Sequence, residues 1–146
     1  VGSGGGASPI ITAYKTADET RINTTTLTID ADLQIELEAN SFYYIEVRIL
    51  YTSGGTPDYK YGFTTPTNAE GWYYTDADNL SANTKSLSGI TNANGFGNVA
   101  VMASPAQVLI QTTDAGTFGY DWAQQLADAD VTIVRKGSAI IATKLN

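Results

Sequence analysis

The chain contains no cysteine and no histidine, and among its 146 residues there are only one methionine and four prolines. Without histidine it lacks the side chain that most readily moves protons near neutral pH. Without cysteine it has no thiol nucleophile, no soft metal ligand and no disulfide. No apolar stretch approaches the ~18 residues needed to cross a bilayer as a helix, so no membrane partner is expected. Basic residues are scarce as well: eight Lys and Arg stand against fifteen Asp and Glu, giving a net charge of −7. The acids are spread along the chain, and such a field repels phosphate backbones, which argues against nucleic acid as a partner.

What is abundant is sheet-forming sequence. Hydrophobic residues make up 42% of the chain and charged residues 16%. A chain of this length buries roughly 70% of its unfolded surface, enough for a core without covalent staples. Apolar and polar residues alternate with period two in one segment after another. Leu33, Ile35 and Leu37 alternate with Gln34, Glu36 and Glu38. Tyr43, Ile45, Val47, Ile49 and Tyr51 form the longest stripe, and Tyr59, Tyr61 and Phe63 continue it. Further strands are expected at Ile10–Lys15, Ile22–Ile29, Glu70–Thr75, Val99–Val101, Val108–Ile110, Phe118–Trp122, Val131–Arg135 and Ala139–Leu145. Turns are expected at Ser53-Gly54-Gly55, Asn94-Gly95 and Lys136-Gly137. No segment has a helical stripe. About ten strands imply an all-β fold, an antiparallel two-sheet sandwich, with jelly-roll topology the common solution for this strand number.

Residues 1–9, Val-Gly-Ser-Gly-Gly-Gly-Ala-Ser-Pro, read as a flexible arm, because glycine this dense is entropically costly to order. Residues 10–146 read as one sandwich domain. Val1 fits either a chain whose initiator Met was removed or a piece of a longer protein. Asp-Ala-Asp occurs at 30–32, 76–78 and 128–130 with unequal spacing, and it reads as turn punctuation, not as a repeat.

Chemistry-bearing constellations are few. Asp76-Ala77-Asp78-Asn79 is the best local cluster for a hard cation, but it lacks the Gly and Glu of a helical calcium loop. Solvated turn acids are the expected reading, so no metal site and no cofactor are assigned. No sequence mark selects a carboxylate pair for glycoside hydrolysis. The serines and threonines have no base partner, so no catalytic residue is assigned. Asn23-Thr24-Thr25 and Asn79-Leu80-Ser81 fit the glycosylation acceptor pattern at chance frequency. Trp72-Tyr73-Tyr74 puts aromatics on both faces of one strand. Trp72 and Tyr73 are the candidate exposed aromatics, for stacking on a sugar or packing at a subunit contact; a core placement of Trp72 and Tyr74 would leave Tyr73 on the surface.

Several segments resemble a structural domain of tailed bacteriophages. Tyr14-Lys15-Thr16-Ala17-Asp18-Glu19-Thr20-Arg21 leading into Asn23-Thr24-Thr25-Thr26-Leu27-Thr28, then Asp30-Ala31-Asp32-Leu33 and Leu37-Glu38-Ala39-Asn40, looks like its opening. Tyr59-Lys60-Tyr61-Gly62-Phe63-Thr64 looks like its middle strand. Trp122-Ala123-Gln124, Ala129 to Val134 and Gly137-Ser138 look like its close. The resemblance implies a non-enzymatic β-sandwich virion protein. It would be a head decoration (cement) protein on the outer capsid surface, clamping major capsid subunits as a homotrimer, or a tail or fibre-end domain. Pro9, Ile10, Ile11, Tyr14 and Lys15 are then the expected contacts of the arm with a capsid or neighbouring subunit. The alternatives are a fibre-end domain that binds a host-surface glycan and a carbohydrate-binding module.

Overall fold

The period-two stripes become strands of two antiparallel sheets. The computed structural model describes the backbone of residues 9–75, 83–86, 93–95 and 98–146, and the side chains of residues 9–74 and 105–146. Twelve strands lie in these stretches: β1 (Ile10–Tyr14), β2 (Glu19–Arg21), β3 (Thr28–Leu37), β4 (Phe42–Ser53), β5 (Tyr59–Thr64), β6 (Glu70–Thr75), β7 (Asn83–Ser86), β8 (Ala93–Gly95), β9 (Asn98–Gln111), β10 (Gly116–Gln124), β11 (Thr132–Val134) and β12 (Ala139–Lys144). Sheet A runs β1-β12-β4-β9-β6-β7, with β11 joining β4 to β2; sheet B runs β3-β10-β5-β8. The all-β, two-sheet expectation is met. No helix among the described residues is long and apolar enough to cross a membrane.

The core lies between the sheets, where the inward stripes of β4, β9 and β12 meet those of β3, β5 and β10. Tyr43, Ile45, Val47, Ile49, Val108, Ile110 and Ile140 supply the aliphatic half from sheet A, apart from one tyrosine. Sheet B supplies aromatics. Tyr61 stacks on Tyr120 at 5.6 Å, Phe63 on Phe118 at 5.5 Å, and Tyr59 on Tyr51 of sheet A at 4.1 Å. Buried phenols need partners: the Tyr59 and Tyr120 hydroxyls bond each other, and Tyr43 Oη accepts the Glu38 amide at 3.1 Å.

β1 and β2 act as one interrupted strand, as do β11 and β12, and the interruptions lie side by side. The Lys15 amide donates to the Ser138 carbonyl, and the Gly137 amide donates to the Lys15 carbonyl, both at 2.9 Å. Gly137 makes that turn possible with φ +89°, a left-handed conformation that side chains disfavour. Asn40, at φ 51°, does the same for the turn between β3 and β4.

Several expectations are corrected. Ile22–Ile29 is not one strand; the backbone leaves β2 at Arg21 and re-enters a ladder only at Thr28. Val99–Val101 and Val108–Ile110 belong to the single strand β9, which runs through Pro105. Proline fits there because the β6 ladder stops at Thr75↔Ala106, leaving Pro105 beyond the end of one of its two flanking ladders. Asn94 and Gly95 pair with Lys60 and Tyr59 in β8 instead of forming a turn. Asp30 is no turn residue but a fully buried part of β3. Residues 1–8 of the arm and the Asp76-Asp78-Asn79 cluster lie outside the described residues.

Candidate interaction faces

Because facing residues of an antiparallel ladder share one side of the sheet, the registers give the outer face of sheet A row by row. One row reads Ile10–Thr143–Tyr44–Leu109–Trp72 across β1, β12, β4, β9 and β6. Trp72 is 57% exposed, Ile10 52% and Leu109 45%. The next row reads Thr12–Ile141–Glu46–Gln107–Tyr74, and the one beyond it Tyr14–Ala139–Arg48–Pro105. Phe42 extends the apolar surface on the other side, beside exposed Leu145, whose amide donates to the Phe42 carbonyl at 2.8 Å. The charges in the middle of this face are Glu46 and Arg48, which pair at 3.1 Å. Two small hollows of about 40 and 80 Å3 flank Gln107, one against Glu46, Arg48 and Pro105, the other against Tyr74 and Pro105.

The outer face of sheet B is its chemical opposite. Gln34, Glu36, Thr117, Thr64, Asp121 and Lys60 stand on it, with Thr117 bonded to Glu36 and Thr64 bonded to both Asp121 oxygens at 2.9 and 3.0 Å. Burial raises the Asp121 carboxyl, against the Thr64 bond and the Arg21 charge. Its one large apolar residue, Ile29, lies over Gly119, where an added Cβ would sit 2.2 Å from the Ile29 terminal carbon.

Trp72 thus takes the exposed place expected for it, whereas Tyr73 does not: it is 1% exposed. Tyr73 pairs with Val108 of the core stripe, while Trp72 and Tyr74 pair with the outward Leu109 and Gln107. The core placement of Trp72 and Tyr74 is inverted in the same way.

The arm residues also divide. Pro9, Ile10 and Tyr14 are exposed, and Ile11 packs partly against the core. Lys15 is no surface contact. Its Nζ lies 2.9 Å from both Asp30 oxygens, 3.0 Å from Glu19 and 3.3 Å from Asp32. Asp30 also accepts the Trp122 indole N–H at 2.9 Å and the Asp32 amide at 3.0 Å. Burial alone would raise the Asp30 carboxyl; the bonds from Lys15, Trp122 and the Asp32 amide outweigh it and hold the group below the usual carboxylate range. Burial likewise opposes the Lys15 charge, yet bonds to Asp30 and Glu19 raise its pKa. Arg21 completes the group: its guanidinium sits 4.0 Å above the Trp122 ring and pairs with Glu19 at 2.8 Å. This network pins the break between β1 and β2, in sheet A, to β3 and β10 of sheet B.

No family model matches the chain, and no curated protein matches it. Among solved structures the chain is similar to the tripod (BppUct-A-L) from the baseplate of bacteriophage Tuc2009, at 12% identity and a TM-score of 0.39. The alignment covers 88% of this chain and 64% of that one. It is also similar to the structure of the infectious bursal disease virus Gx strain (6% identity, TM-score 0.29, 92% of this chain and 36% of that one). A third similar structure is the infectious bursal disease virus VP2 subviral particle (12% identity, TM-score 0.25, 92% and 38%). The chain spans less than two-thirds of the length of each of these structures.

A shallow cleft of about 360 Å3 opens near the end of β4, between Gly54-Gly55, Asp130-Val131 and Arg135. Its cation is engaged, since Arg135 donates to Thr52 at 3.1 Å and to Asp18 at 2.9 Å. No group of three or more His, Cys, Asp or Glu among the described residues could hold a metal ion. Sequence reasoning missed both the Lys15–Asp30–Trp122 network and Leu109. For Lys15 a signal existed: it has the same parity as the inward Ile11 and Ala13.

Proposed function

We propose that this chain is a non-enzymatic structural protein of a tailed-phage virion, a head decoration protein on the outer capsid surface that clamps major capsid subunits and associates with itself, as a homotrimer. The carrying observation is the chemical contrast between the two outer sheet faces. One is an apolar, aromatic face of the kind that meets protein, and the other is polar and acidic. The resemblance of the Tyr14–Asn40, Tyr59–Thr64 and Trp122–Ser138 segments to phage structural domains supplies the setting. A jelly-roll reading is supported by the strand order: with β1/β2 and β11/β12 each merged, the sheets contain the runs β1/β2–β11/β12–β4–β9 and β3–β10–β5–β8. Residues 1–9 act in this reading as an arm that orders on a neighbouring subunit, with exposed Ile10 and Tyr14 continuing the contact along β1.

Repetition over a symmetric shell adds weak contacts by avidity, so no single contact needs to be strong. Purified protein is expected to co-sediment with expanded capsids and to protect them against chemical disruption. Removing residues 1–9 weakens that binding. Full-length protein that stays in the supernatant and leaves capsid stability unchanged contradicts the reading.

A second reading, a tail or fibre-end domain or carbohydrate-binding module that takes a host glycan, draws on exposed Trp72 and Tyr74 beside the planar polar group of Gln107. It predicts glycan-array binding abolished by Trp72→Ala. The aliphatic company of Leu109 and Ile10 favours protein over sugar.

A further inference from the structure

We infer that the outer face of sheet A is where this chain meets further copies of itself, an assignment that rests on the assembly reading above and names its contact surface. A chain with a net charge of −7 repels its own copies wherever acidic surface would face acidic surface. Sheet B presents such a surface, with Glu36 and Asp121 on it, and exposed Asp18, Asp32 and Asp130 lie in turns and at strand irregularities. The outer face of sheet A escapes this. Its central charges are one acid and one base, Glu46 and Arg48, on the same strand and 3.1 Å apart.

That pair is self-complementary. When two copies approach through this face, Glu46 of one can meet Arg48 of the next, and the exchange closes reciprocally without excess charge. Around it lie Tyr44, Leu109 and Trp72, the large apolar groups whose burial would supply the attraction. A partner of unlike composition has no need of a balanced acid–base pair; a basic partner would be drawn to sheet B. The face is thus matched to a copy of itself.

Light scattering on size-exclusion fractions tests this directly. Wild-type protein at micromolar concentration is expected at a multiple of the 15.5 kDa chain mass. Trp72→Ser/Leu109→Ser should run at the monomer mass, its association weakened roughly thirtyfold or more, with an unchanged melting curve because both side chains are exposed. Glu46→Arg and Arg48→Glu should each weaken association, and the double exchange should restore it. Wild-type protein that remains monomeric, or an oligomer indifferent to all these changes, overturns the inference. A monomer that still coats expanded capsids would refute self-association alone and leave the virion reading standing. A monomer that binds glycans through Trp72 would reassign the face to sugar and overturn both.

Discussion

Asp30→Ala is expected to cost about 3–5 kcal/mol of folding stability, because it strands a buried cation. Lys15 is almost fully buried and faces Asp30 at 2.9 Å; Glu19 and Asp32, its other partners, are partly exposed. The same change removes the acceptor of the Trp122 indole N–H. Against a total of roughly 5–15 kcal/mol for a single domain, this is a large share. The melting temperature should fall by roughly 10 °C or more. Replacing both charges, Lys15→Met with Asp30→Leu, should cost less than the sum of the single changes, since neither charge is then left alone. The pH dependence follows from the pKa directions. The folded Asp30 pKa lies below its ordinary value, so its contribution is full above about pH 4 and is lost as pH falls through the lowered folded value. The folded Lys15 pKa is raised, so its contribution is full below about pH 10.4 and is lost as pH rises through the raised value. Urea unfolding of wild type and Asp30→Ala should therefore differ by a constant amount between about pH 5 and 9, with the gap closing in acid. A difference below about 1 kcal/mol at pH 7 would mean that the network holds nothing.

Trp122→Ala is expected to be at least as damaging. The indole is fully buried in β10 between β3 and β5, and truncating a buried Trp costs about 3–5 kcal/mol. The change also removes the ring beneath Arg21 and one of the hydrogen bonds that hold Asp30 ionised. Trp122→Phe separates these effects, because it retains most of the apolar volume but has no N–H; about 1–3 kcal/mol should be lost. Combined with Asp30→Ala, either change should cost less than the sum of the two alone, since both break the same bond. Additive losses in chemical unfolding would show that Trp122 and Asp30 act separately.

Legibility followed the regularity of the alternation. The β3, β4, β5 and β10 stripes strictly alternate large apolar with polar or small residues, so parity alone placed Leu33, Tyr43, Tyr61 and Trp122 inside. Trp72-Tyr73-Tyr74 carries a large aromatic at every position, and parity there has no phase. Only the pairing of Tyr73 with Val108 and of Trp72 with Leu109 decides which ring is buried. Asp30 was hidden by an irregular ladder. Gly119 faces Gln34 and Asp121 faces Ile29, so residues 30–33 stand opposite Tyr120 alone, and the excess chain turns the Asp30 carboxylate inward. Lys15 had inward parity, but a lone lysine is rarely buried, and its partner Asp30 is fifteen residues away. The interaction face was legible only in part. Exposed Leu109 sits in a strand whose alternation is visible, yet the row joining it to Trp72, Tyr44 and Ile10 exists only once four neighbouring strands are in register.

The central claim, that this chain covers the outside of a capsid, is tested most directly by imaging. Expanded capsids incubated with the purified protein and reconstructed by electron cryomicroscopy should show added β-sandwich density on the outer surface, repeated at junctions between major capsid subunits. Capsids with bare outer surfaces after incubation at saturating protein would contradict it.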